Sequence, residues 1–196
     1  MRVARFPLPK PTSRTVRRLT ANEDGAAAIE FALVGLPFLL FIFGIIGFGL
    51  YFLNSSYLEH GVKTASRKIL TGELRTAGAD GNPMTVGEFR KLVCDASEPV
   101  IDCSKLSVMV QHATDWYGLT PRSCVDGDGN MAGSSGEDGE LLSKYAGDAS
   151  QVVLVTVCYK WDLADTLSFL KLGSGADGSG PAIMQAAMAF KSEPYS

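Results

Sequence analysis

The chain has 196 residues, 46% of them hydrophobic and 20% charged, with a formal net charge of −3 and a pI near 5.4. That acidic balance argues against nucleic acid as a partner, and the length leaves room for one modest domain beyond a membrane segment. The charge is also divided: residues 1–25 carry Arg2, Arg5, Lys10, Arg14, Arg17 and Arg18 against Glu23 and Asp24, so that segment is +4 and the remainder −7.

Residues 1–25 have no hydrophobic periodicity, contain Pro7, Pro9 and Pro11, and are expected to form a basic, solvated cytoplasmic leader. Basic residues on one flank of a span hold that flank in the cytoplasm, which puts everything after the span on the far side. From Phe31 to Leu53 the sequence is almost wholly apolar, roughly 23 residues or about 34 Å of helix, a bilayer's thickness. The run is too long for a secretory h-region. The small residues (Gly25, Ala26, Ala27, Ala28) precede it, whereas a cleaved signal carries them on its far side. Glu30 sits at the head of this run. A carboxylate beside hydrocarbon costs on the order of 2.5–3.5 kcal/mol and calls for a partner. Inside the run Pro37, two residues after Gly35, is expected to kink the helix or loosen one turn.

Past the span, Leu58, Val62, Ala65 and Ile69 recur at four- and three-residue steps, so residues 26–75 read as one helix, first lipid-soluble and then amphipathic. Gly72 and the Gly78–Pro83 stretch end it. Residues 76–196 read as a small periplasmic α+β domain with an antiparallel sheet. Thr85-Val86-Gly87-Glu88 is a capping box opening a short helix that buries Phe89, Leu92 and Val93. Leu106–Gln111 and Val152–Trp161 read as strands, Leu163, Leu167 and Leu170 mark a short helix, and Met184, Ala186, Met188 and Phe190 alternate as a last strand. All four cysteines, Cys94, Cys103, Cys124 and Cys158, follow the span. Their even number on the exported side predicts two disulfides with three possible connectivities, of which a local Cys94–Cys103 loop with Cys124 tied to the strand end at Cys158 is one.

These residues carry a resemblance. The basic leader, Gly25, small residues, Glu30-Phe31 and the uninterrupted apolar run resemble type IV pilin and pseudopilin precursors. More narrowly, Gly25-Ala26-Ala27-Ala28-Ile29-Glu30-Phe31-Ala32-Leu33, Pro37 and Ala65-Ser66-Arg67 resemble the TadE-like pseudopilins of the tight-adherence (Tad/Flp) pilus system. The Val152–Trp161 stretch and the closing Phe190–Tyr195 are similar to the corresponding parts of that family. The resemblance implies cleavage by a prepilin peptidase between Gly25 and Ala26, with Glu30 and Phe31 as part of the recognised segment. It also implies a minor pilus-assembly component of the inner membrane or fibre, working among other pilins and pseudopilins, with no cofactor and no chemistry of its own. Flp major pilins are short helices, so a chain with this domain resembles an initiator, tip or regulatory subunit rather than a shaft subunit.

Competing signals are weaker. Asp126, Asp128, Asn130 and Glu137 echo a calcium loop, but Met131 stands where the turn needs glycine, and a solvated acidic loop without metal is expected. His60 and His112 have no nucleophile or ligand motif beside them, and Trp116, Tyr117, Tyr159 and Trp161 read as core or edge packing, with a binding surface as the alternative. The rival reading is a signal-anchored periplasmic enzyme, sensor or binding domain that keeps its leader.

Overall fold

The computed structural model describes residues 25–75, 81–127 and 129–194. The leader up to Asp24, Asp128 and Tyr195 lie outside the described residues. Contacts divide the chain into two compact units that meet at Ile46 and Gly47.

In the first unit the described residues are the start of α1 (Ala26–Leu70). Its large apolar side chains, among them Phe31, Val34, Phe38 and Phe41, are all exposed, Phe31 to 78%. The helix continues through Pro37, as happens where apolar surroundings make every remaining backbone hydrogen bond valuable.

The second unit contains the core. Leu58, Val62, Ala65 and Ile69 of α1 are all buried, Ile69 completely, so the four-three spacing marks the face that packs inward. Asn54, also buried, donates its amide Nδ2 to the Leu50 carbonyl at 2.8 Å, returning the polar group to its own helix. The second helix, α2 (Val86–Asp95), opens on the predicted capping box: the Glu88 amide donates to Thr85 Oγ1 at 3.2 Å, and the Thr85 amide donates to Glu88 Oε2 at 2.7 Å. Phe89 and Val93 are buried and Leu92 is partly so. The two helices touch at Gly61. A Cβ there would meet the Ser97 hydroxyl and stand 2.6 Å from the Val93 carbonyl oxygen, so only glycine permits the approach.

Three antiparallel strands follow in the order β1 (Leu106–Ala113), β2 (Val152–Trp161) and β3 (Ala182–Lys191). Val108 lies opposite Val157, and Val157 opposite Ala186. Because side chains alternate across a strand, these and Val110, Val155 and Met184 share the face that meets α1 and α2 in one cluster. The other face carries Met109 and Cys158, covered by Cys124, Met131 and Ala132 of the loop between β1 and β2. Covering on both faces explains why Val152–Val157 shows no polar alternation. The free edge of β1 is closed by the same loop: the Ser134 hydroxyl accepts from the Val108 amide at 3.1 Å, and the Ser135 hydroxyl accepts from the Val110 amide at 3.0 Å. Such capping removes a template for unwanted strand pairing. Two single-turn helices, α3 (Ser143–Ala146) and α4 (Leu163–Thr166), complete the unit. The architecture is α+β.

Candidate functional site: the apolar helix and its N-terminal segment

Gly25, Ala26, Glu30 and Phe31 are all exposed. Among the described residues nothing lies within 4 Å of where a Cβ on Gly25 would stand, so none of them demands glycine at this position. Among the described residues no side chain forms an ion pair with Glu30. No described acidic or basic residue follows until Glu59, and α1 is long and apolar enough to cross a membrane by length and composition.

In the second unit the cysteines form two bonds. Cys94 is joined to Cys103, and Cys124 to Cys158, each with Cα atoms 5.5 Å apart. The first ties the last turn of α2 to the approach to β1. The second fixes the covering loop to the central strand.

The remaining polar groups are arranged as surface links. Lys105 Nζ lies 3.1 Å from Asp102 and 2.9 Å from Asp162, with Lys160 3.6 Å from Asp162. The bond from Lys105 holds the Asp162 carboxyl below the usual carboxylate range, and Asp162, followed by Asp102, holds the Lys105 ammonium above the usual lysine range. The Tyr145 hydroxyl donates to Glu140 and keeps that carboxyl low, while the same hydrogen bond, ahead of desolvation and the Glu140 charge, pushes the phenol up. Beside them is an open cleft of about 600 Å³ lined by Pro83, Glu140, Lys144 and Asp148. Leu141, Ser143 and Gly147 complete its lining.

His60 is exposed on α1, whereas His112 Nδ1 is engaged by the Tyr145 carbonyl at 2.8 Å, so the two histidines belong to separate surroundings. In the acidic loop the Asp126 carboxylate accepts the Asn130 amide at 2.7 Å and closes a local turn. The aromatic expectation needs correction. Tyr159 and Trp161 are buried as read, but Trp116 is half exposed and Tyr117 is 99% exposed. They occupy a turn nucleated by Asp115, whose carboxylate accepts the Tyr117 and Gly118 amides, and hydrophobicity alone does not reveal such a turn. Gly47, one of the four glycines of the apolar run, is the position beside which the Leu170 and Leu167 side chains pack.

Together these features define a class: a membrane-length N-terminal helix leading into a disulfide-bonded α+β domain. Residues 25–67 match the family model described as TadE-like protein, the segment over which the residues themselves carried the TadE resemblance. No curated relative and no solved structure matches the chain.

Proposed function

We propose that the protein is a minor pseudopilin of the Tad pilus system, cut by a prepilin peptidase between Gly25 and Ala26 and inserted through α1. The TadE-like match over residues 25–67 supports a Tad pilus-associated role in general. The observation that supports the finer reading is the open Gly25, with no described residue within 4 Å of where its Cβ would stand, at the head of a helix whose large apolar side chains face outward as far as Ile46. A glycine that the fold does not require is available for a peptidase, since its bare backbone enters a narrow active site.

Cleavage frees the Ala26 amine and leaves Glu30 as the fifth residue. The Glu30 carboxylate of one subunit then pairs with the new amine of its neighbour, offsetting the desolvation that each charge suffers alone and setting the axial stagger of adjacent helices. Pro37, lacking an N–H, gives that helix a soft point for fitting among its neighbours. The basic leader faces the cytoplasm and the domain the periplasm, where both disulfides persist. The protein acts by assembly, without a reaction of its own.

Co-expression with a prepilin peptidase tests this reading. The wild-type membrane protein should begin at Ala26, and Gly25→Leu should remain full length; an intact Met1 in the wild type would favour the anchored-domain reading instead. Glu30→Ala should still be cleaved yet enter pili poorly. Normal piliation by that variant would remove the pairing role.

A further inference from the structure

We infer that the segment after β2, Leu163–Leu172, is a second membrane contact that dips into the outer leaflet beside α1; the inference rests on the membrane reading of α1 given above. In the second unit, Gly47 of α1 faces Leu170, with the nearest Leu167 methyl 3.5 Å from where its Cβ would be. Gly47 lies six residues before the end of the apolar run at Leu53, roughly 9 Å along the helix. Around it Phe48, Phe52 and Leu53 are exposed and need hydrocarbon about them. Whatever packs against Gly47 is therefore held at the same depth.

The segment suits that level. Leu163 and Phe169 turn outward, 40% and 50% exposed, while Leu167 and Leu172 pack against the core. Several of its backbone donors are turned back onto the local chain, Leu167 N–H to the Leu163 carbonyl at 3.0 Å and Leu170 N–H to the Leu167 carbonyl at 2.8 Å, which lowers the cost of a low-water environment. Exposed Asp165 and Lys171 flank Phe169, beside which the small hydroxyl side chains of Thr166 and Ser168 are also exposed. Lys171 can extend its ammonium to the headgroups, and Asp165 limits immersion to the interface. Interfacial segments of this kind settle about 5–10 Å into the headgroup–acyl boundary, the depth that Gly47 dictates.

The full chain carries no free cysteine, so single cysteines can be spin-labelled after reconstitution in phosphatidylethanolamine–phosphatidylglycerol vesicles. Phe169→Cys should show an oxygen-to-nickel-complex accessibility ratio several-fold above Tyr117→Cys and close to Phe48→Cys; Leu163→Cys serves as a second probe should Phe169→Cys fold poorly. A water-like ratio at 169 and 163, or shielding from both reagents as a protein neighbour would give, overturns the proposal. Phe41→Cys separates the two levels of failure. If it is lipid-exposed while 169 is not, only the interfacial contact falls; if it too is in water, the membrane reading falls and the contact with it.

Discussion

One helix obeys two opposite solubility rules. Up to Ile46, α1 turns Phe31, Val34, Phe38 and Phe41 outward; from Leu58 onward its apolar residues Leu58, Val62, Ala65 and Ile69 are inside and Glu59, Lys63 and Arg67 are outside. Helix propensity does not distinguish these stretches, since both form the same hydrogen-bonded spiral. The difference lies in what surrounds them. The first has apolar residues all round, the pattern of a helix in lipid, and the second a single apolar stripe, the pattern of a helix on a protein core. The match to the TadE-like model covers parts of both stretches, so the segment on which the family resemblance rests includes a domain-building element as well as a stretch apolar enough to cross a membrane.

The sharpest way to break that comparison is truncation. A fragment beginning at Ser55 loses the outward-facing stretch but keeps the stripe, and it should fold as a water-soluble, disulfide-bonded domain. A fragment beginning at Glu73 lacks Leu58, Val62, Ala65 and Ile69 and should show no cooperative unfolding. Near-ultraviolet circular dichroism of both fragments checks this. A folded Glu73 fragment would show that the second half of α1 is ornament rather than core.

Smaller and more quantitative is a pair of substitutions in detergent. Ile69→Ala should cost about 2–5 kcal/mol, the usual cost of emptying a buried aliphatic site, and lower the Tm by on the order of 10 °C. Phe41→Ala removes a larger side chain from an exposed position and should leave the domain's Tm unchanged. Equal effects at the two positions would erase the distinction between the halves.

How much of this could be read beforehand follows from the range of each signal. The stripe, the capping box at Thr85 and Glu88 and the strand at Val152–Trp161 are local patterns, and local periodicity announced them. The apolar run and Glu30 at its head were equally plain. What sequence concealed is long-range. Nothing marked Ser134 and Ser135 as the cap on the edge of β1, because a hydroxyl bonding to a strand some 25 residues away has no periodicity. Gly61 looks like any helical glycine in the sequence although α2 crosses there, and the small residues of the apolar run do not say which of them, Gly47, has Leu170 packed over it. Trp116 and Tyr117 misled for the opposite reason: aromatic character suggests burial, while the Asp115 turn that exposes them is encoded by one small acidic residue.

The least effect expected is that of pH, and its origin follows from the same contrast. No described acidic or basic residue lies between Glu30 and Glu59, so the titration of folding stability belongs to the domain. There the charged links are on the surface, where solvent screening keeps each contribution small. Asp162 is held below the usual carboxylate range by Lys105. Its contribution is therefore present above the carboxylate range of the unfolded chain and is lost as pH falls through the depressed folded value. Lys105, held above the usual lysine range by Asp162 and Asp102, behaves in the opposite sense: its contribution is present below the unfolded lysine value and is lost as pH rises through the raised one. Stability should thus be flat through neutrality and decline at the acid end. Asp162→Asn should shrink the acid decline without changing the neutral Tm by more than a few degrees. An acid decline undiminished in that variant would show that the link between Asp162 and Lys105 contributes nothing measurable.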